Sequence, residues 1–314
     1  MRIIFCGSGT FALPSFEAVA DSRHDLVLAV TQPPRKSGRG GKINPTVIAQ
    51  AAYRRGIDCL ETQDINSTEA LRILQSCNAN VMVVAEYGQF IREAARKSVS
   101  RACFNLHGSI LPALRGAAPV NRAVINGDAE SGVTTFELVD KMDAGAVYRT
   151  EKVQITPNET AGELREKLAA VGTKVVLATL DDIEAGIAQP VEQDASLATF
   201  APKLQKSDGY VDFEQSVGRV YDRIRGCSPW PGAAADFAKA DGKTTRVIIT
   251  RSEIASGQAR GAAGTIDDEF CVATGDGRLK ILEIQPAGRK NMDFKSFVNG
   301  YRVLPGDRFL KISE

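Results

Sequence analysis

The sequence predicts an α/β protein, built on a mostly parallel sheet with flanking helices and followed by a small β-barrel. Three observations carry that prediction. Short apolar runs alternate with helix-like stretches through the first half, the pattern of βαβ units. The alternation stops after Gly186. Beyond it, short extended runs recur between turns such as Gly275-Asp276-Gly277, as in small barrels.

Taken in order, residues 2–6, 26–31, 80–85 and 102–106 are apolar runs too short for helices and read as strands. Between them, residues 11–21, 46–55, 67–76 and 117–126 have helical composition and spacing. Residues 133–139 and 146–155 are extended and continue the same sheet. Residues 160–186 form one long amphipathic helix, opened by the capping-box pair Thr160 and Glu163 and closed at Gly186. Residues 187–206 are polar and aperiodic, as in a linker. A helix near 215–226 then precedes strands at 245–250, 263–266, 269–273 and 278–285.

Composition narrows the class. With 314 residues, 43% hydrophobic and 25% charged, the chain can fill two cores, and neither disorder nor a fibrous repeat fits. No apolar run approaches the roughly 18 residues of a membrane span, and no cleavage-like segment follows Met1-Arg2, so a cytoplasmic protein without membrane contact is expected. Cysteines 6, 59, 77, 103, 227 and 271 lack C-x-x-C spacing, so reduced thiols are expected and no zinc site. The net charge of +1 is uninformative, but its distribution is not. Arg35, Lys36, Arg39, Lys42, Arg54 and Arg55 fall between Leu26 and Ile57 without one acidic residue, which makes a local positive surface.

Gly7-Ser8-Gly9-Thr10-Phe11-Ala12 follows the first strand and fits G-x-G-x-x-G/A, the phosphate-cradling turn of dinucleotide enzymes. The second strand, however, ends in Thr31-Gln32-Pro33-Pro34, with no acid to hold a ribose. The glycines serve a tight strand-to-helix turn equally well. The 32–45 connection is far longer than a minimal βα link, and Arg39 and Lys42 between glycines suit a phosphate backbone as well as they suit solvent.

The chemistry is expected in Phe104-Asn105-Leu106-His107-Gly108-Ser109-Ile110-Leu111-Pro112. Residues two apart on an extended chain face one side, so Asn105 and His107 can address one substrate atom. They would lie beyond a strand's carboxyl end, where ligands of open α/β sheets bind. The other histidine, His24, reads as a solvated turn residue. No G-x-S-x-G elbow supports a serine hydrolase through Ser109, and no H-x-x-x-H pair supports a metal. Asp143 sits in Lys141-Met142-Asp143-Ala144-Gly145, a turn whose chemistry depends on the fold bringing it to His107.

Together these residues resemble the methionyl-tRNA formyltransferase family. The resemblance rests on Asn105-Leu106-His107-Gly108-Ser109 with Leu111-Pro112, then Arg115-Gly116-Ala117-Ala118-Pro119, Asn126-Gly127-Asp128 and Gly132-Val133-Thr134. On the acceptor side it rests on Thr31-Gln32-Pro33 followed by Gly38-Arg39-Gly40. Ser228-Pro229-Trp230-Pro231-Gly232 and Gln285-Pro286-Ala287-Gly288-Arg289-Lys290 extend it to the carboxy-terminal half. Two departures stand out. Glu86 and Arg92 occupy positions where the family has alanine and proline around Tyr87-Gly88, and Ser207 replaces a common acid after Lys203-Leu204-Gln205-Lys206.

The resemblance implies a Rossmann-like formyltransferase domain at 1–187, a linker at 188–206 and an OB-like tRNA-binding barrel at 207–314. It implies 10-formyltetrahydrofolate as co-substrate, no metal, and formyl transfer to the α-amine of initiator methionyl-tRNA for translation initiation, with no stable protein partner. Asn105, His107 and Asp143 would be catalytic. Ser109, Ile110, Leu111, Pro112, Tyr87 and Gly88 would line the folate slot, and Arg35, Arg39 and Lys42 would meet the tRNA. The same site would serve a sugar-nucleotide N-formyltransferase or a formyltetrahydrofolate hydrolase. An NAD(P) oxidoreductase and a non-catalytic RNA-binding protein are the readings that need no such site.

Overall fold

The computed structural model describes residues 1–37 and 42–313. Its strands and helices run β1 (Arg2–Gly7), α1 (Leu13–Ala20), β2 (Asp25–Thr31), β3 (Arg35–Ser37), β4 (Lys42–Asn44), α2 (Val47–Arg55), β5 (Cys59–Glu61), α3 (Thr68–Ser76), β6 (Val81–Ala85), α4 (Glu93–Arg96), β7 (Ala102–His107), α5 (Pro119–Asn126), β8 (Glu130–Glu137), β9 (Val147–Gln154) and α6 (Ala161–Ala185). They continue with α7 (Val217–Gly226), β10 (Ala233–Ala238), β11 (Thr244–Ala255), β12 (Val272–Ala273), β13 (Arg278–Pro286), β14 (Met292–Asp293), α8 (Phe294–Tyr301) and β15 (Arg308–Leu310).

The chain divides into two units. The first takes Met1–Gly116, Ser131–Val153 and Arg165–Phe200; the second takes Ala117–Glu130, Gln154–Leu164 and Ala201–Glu314. The first is built on a seven-stranded sheet in the order β5-β2-β1-β6-β7-β8-β9. β1 pairs in parallel with β2 and β6, β6 in parallel with β7, and β7 antiparallel with β8. Ile3, Ile4, Phe5 and Cys6 of β1 are wholly buried, as a parallel strand covered on both faces requires. Ile4, Cys6, Leu28, Val30, Met82 and Val84 share one core cluster with Leu74 of α3 and Ala95 of α4.

Register positions the site. Gly7 of β1 lies opposite Ala85 of β6, and Ala85 lies opposite Leu106 of β7. Gly7, Ala85 and Leu106 therefore lie level, and the next residue along each chain, Ser8, Glu86 and His107, emerges at one edge. The chain runs from β1 outward through β2 to β5 and returns on the other side through β6 and β7, so strand order reverses between β1 and β6. That reversal opens the crevice where such sheets take ligands.

The second unit is an antiparallel sheet ordered β12-β13-β11-β10-β15. Single bridges from Ile266 to Val272 and from Thr265 to Arg308 join its two outer strands and nearly close it. Phe213, Phe237, Phe294, Phe297 and Phe309 fill its core, with the Phe237 and Phe297 rings 5.2 Å apart. The expected strand at 263–266 is these two bridges only, and the expected strand at 269–273 is reduced to β12. The 32–45 connection carries the β3–β4 hairpin. β5, α4, β10, β14, α8 and β15 were not predicted: five of the six have six residues or fewer, too few for a periodic signal.

Candidate active site

His107 ends β7 and is 6% exposed. Its ring packs edge-on to Phe136 of the neighbouring strand, 6.3 Å between centroids. Nε2 lies 3.0 Å from the Leu114 carbonyl. A carbonyl can only accept, so Nε2 carries the proton and Nδ1 is the nitrogen left to face outward. Nδ1 lies 3.8 Å from Asp143 Oδ2. The turn between β8 and β9 thus delivers Asp143 to His107, the juxtaposition that spacing alone could not show.

Two residues here hold left-handed backbone without being glycine, Leu114 at φ 59° and Asp143 at φ 49°. Such conformations cost of order 1 kcal/mol or more and persist where the surroundings fix them. The Gly116 N–H donates to Asp143 Oδ2 at 2.7 Å, tying the two loops together.

Asn105 stands two residues before His107 on the same face of β7, paired with Val84 and Phe136. It is half-buried, and among the described residues none hydrogen-bonds its side chain. Its carboxamide donors are free for a ligand.

The residues expected around the folate divide by exposure. Ser109 is 1% exposed and its hydroxyl donates to the Ala113 carbonyl at 2.6 Å; Leu111 is 7% exposed. Thr134 braces this loop, donating to the Ser109 carbonyl at 2.8 Å and accepting from the Leu111 N–H. Ile110 and Pro112 are half-buried and Gly88 is exposed, so these three offer surface. Tyr87 meets this edge through its backbone. Its side chain is buried, the residue 2% exposed within the cluster of Cys6 and Met82; among the described residues its hydroxyl has no partner, and burial pushes the phenol's pKa well up. Only its backbone reaches the edge, where the carbonyl accepts from Ser8 Oγ and Gln32 Nε2. Glu86, between the end of β6 and Tyr87, takes a left-handed φ of 44°.

Glu86 also decides the glycine-rich turn. Its carboxylate accepts the Phe11 N–H at 2.9 Å, pairs with Arg165, and fills the space a Cβ at Gly9 would need. Its carbonyl accepts the Ser8 N–H at 3.1 Å. A protein carboxylate therefore sits where the pyrophosphate of a dinucleotide would meet the start of α1, which removes the physical basis of the NAD(P) reading.

Of the expected tRNA contacts, Arg35 is exposed and donates to Gln32 Oε1 at 2.8 Å. Lys42 opens β4 opposite Ser37, and Arg39 lies outside the described residues. His24 is not solvated: it is 6% exposed, with Nδ1 3.3 Å from the Met1 ammonium and Nε2 3.6 Å from Asp181. Burial, then the ammonium, hold its pKa down against the pull of Glu184 and Asp181. His24, Asp181 and Glu184 could together hold a cation, but the Arg23 guanidinium already bridges both carboxylates.

Sequence reasoning missed Gln193, which bonds to both loops of the site from within the stretch read as a linker, and Thr199, whose carbonyl and hydroxyl accept the Arg115 and Leu114 N–H groups. Neither carried a periodic or motif signal.

One sheet edge thus offers a carboxamide, an imidazole and a carboxylate, groups able to donate hydrogen bonds and to carry a proton. Residues 1–180 match the family model described as formyl transferase, and residues 203–302 match its C-terminal domain. Methionyl-tRNA formyltransferases of Moorella thermoacetica and Halothermothrix orenii are each 36% identical to the chain, covering 98% of it and 98% and 99% of their own lengths. The chain belongs to the methionyl-tRNA formyltransferase family. Two solved structures share its fold: a sugar 3N-formyl transferase, WlaRD, at 15% identity and TM-score 0.66 over 92% of this chain and 99% of that one, and HypX from Aquifex aeolicus in complex with tetrahydrofolic acid, at 17% and 0.61 over 96% of this chain and 47% of that one. Among the described residues no helix is long and apolar enough to cross a membrane.

Proposed function

We propose that the protein transfers the formyl group of 10-formyltetrahydrofolate to the α-amine of methionyl-initiator tRNA. The observation that carries this is the meeting of His107 Nδ1 and Asp143 Oδ2 at 3.8 Å, beside the uncommitted carboxamide of Asn105. The acceptor is supported by the names of relatives 36% identical over nearly the whole chain.

The physical problem is attack of a neutral amine on a formyl carbon, with negative charge building on the formyl oxygen. Asn105 donates an amide N–H to that oxygen, a contribution worth about 3 to 4 kcal/mol in other acyl-transfer sites. His107, its Nε2 proton held by the Leu114 carbonyl, takes the amine's proton on Nδ1 as the new C–N bond forms. Asp143 stabilises the resulting imidazolium across the 3.8 Å gap and keeps the ring oriented. His107 then returns the proton to the folate nitrogen as the old C–N bond breaks, so the site ends in its starting state. Gly88, Ile110 and Pro112 offer the surface against which the folate would lie. Arg35 and Lys42, with Arg39, would contact the acceptor's phosphates.

The test is a direct assay with purified protein and 10-formyltetrahydrofolate. Formyl transfer to initiator methionyl-tRNA, and much less to a charged elongator tRNA, is expected. Transfer to an amino-sugar nucleotide instead, or formate release without any amine, would replace this reading with the sugar or hydrolase alternative.

A further inference from the structure

We infer that Gln193 is a positioning residue for the reaction, clamping the turn that holds Asp143 against His107; the inference rests on the catalytic reading above. The side chain is used at both ends. Its Nε2 donates to the Asp143 carbonyl at 3.0 Å and to the Gly145 carbonyl at 2.7 Å. Its Oε1 accepts from Arg115 Nη2 at 2.7 Å and Nε at 3.2 Å.

Each end reaches one half of the site. Asp143 is held at φ 49°, and Gly145 two residues on admits no side chain, because a Cβ there would strike the Glu137 carbonyl. A turn so constrained has few ways to relax if its carbonyls lose their donors. Arg115 is 3% exposed and among the described residues has no acidic partner within 4 Å; the Gln193 oxygen takes that place. Arg115 follows Leu114, whose carbonyl fixes His107 Nε2, and precedes Gly116, whose N–H binds the Asp143 carboxylate. Gln193 is therefore bonded both to the loop that orients the imidazole and to the turn that supplies the carboxylate.

A few residues on, the same segment holds the first of these loops again. The Thr199 carbonyl accepts the Arg115 N–H at 2.9 Å, and its hydroxyl accepts the Leu114 N–H at 2.9 Å. The 193–199 segment is thus bonded to the Leu114–Arg115 loop at both of its ends and to the Asp143 turn through Gln193. The carboxamide is suited to the task because it both donates and accepts, which neither Glu nor Lys can do at neutral pH.

The experiment is steady-state kinetics on Gln193→Ala and Gln193→Met, alone and combined with Asp143→Ala. Loss of the clamp misplaces Asp143 without removing any substrate contact, so kcat should fall about 10- to 100-fold while KM for methionyl-tRNA and for 10-formyltetrahydrofolate stays within twofold. In the Asp143→Ala background either change should cost less than threefold further, since there is no carboxylate left to position. Met preserves the side chain's length, so a loss seen with Ala but not Met overturns the inference, as does a full multiplicative loss in the double variant or an unchanged kcat in both single variants. Asp143→Ala retaining wild-type kcat would instead overturn the catalytic reading itself.

Discussion

Single side chains at the β7 edge divide the labour by what each has left to give. Asn105 gives two free N–H donors because none of the described residues uses them, and Asn105→Ala should lower kcat at least about 100-fold, the usual loss for one oxyanion donor, with little change in either KM. Stopped assays at saturating substrate check this; a kcat within tenfold of wild type would refute the donor role. Asp143→Asn keeps the shape and the Gly116 contact but loses the charge that faces Nδ1, so it too should act on kcat and not on tRNA affinity, read by filter binding. Asn105 and His107 were legible in the sequence because a two-residue spacing on a strand fixes a shared face. Asp143 was legible only through family resemblance, and Gln193 not at all, since hydrogen bonds across 50 residues leave no local pattern.

At the scale of elements, the turn that leads into α1 is settled by a distant residue. The Glu86 carboxylate takes the Phe11 N–H, two residues before the helix begins, and is itself paired with Arg165. Glu86→Ala should destabilise the first unit by about 1 kcal/mol, the usual net worth of one hydrogen bond, measured by chemical denaturation. No loss of stability would mean that the contact is incidental. The β3–β4 hairpin is the other element with a function to test. Arg39→Ala and Arg35→Ala should raise KM for methionyl-tRNA and flatten its dependence on salt, leaving kcat nearly unchanged, because phosphate contacts position and do not catalyse. The sequence marked this connection as basic and too long for a plain link; that it contains a hairpin was not visible in three-residue strands.

At the scale of the whole molecule, the second unit includes a buried ion pair. Arg278 and Asp267 meet at 2.8 Å, both side chains 5% exposed. Burial alone would push the Asp267 carboxyl's pKa up; the Arg278 guanidinium and the Cys271 and Glu269 N–H groups outweigh burial and hold it below the ordinary range. A depressed carboxyl stabilises the fold fully above its unfolded value near 4 and loses that contribution as pH falls through its folded value. Glu269 still pairs with Arg278 at 3.0 Å, so Asp267→Asn should lower the second unit's melting temperature at pH 7 by an amount equivalent to about 1.5 to 3 kcal/mol, and its midpoint should depend less on pH below 4 than the wild type's. Calorimetry across that range, with a second, unshifted transition for the first unit, is the check.

The sequence by itself determined the class of fold, the strand that carries Asn105 and His107 and the basic connection, because strand alternation, turn chemistry and charge runs are local and survive in one dimension. Tertiary structure alone decided that Asp143 meets His107, that Glu86 fills the glycine turn, that Tyr87 faces the core and that the stretch after α6 bonds to both loops of the site. Those facts depend on strand register and on contacts between residues tens of positions apart, and each is fixed only when the sheet is assembled.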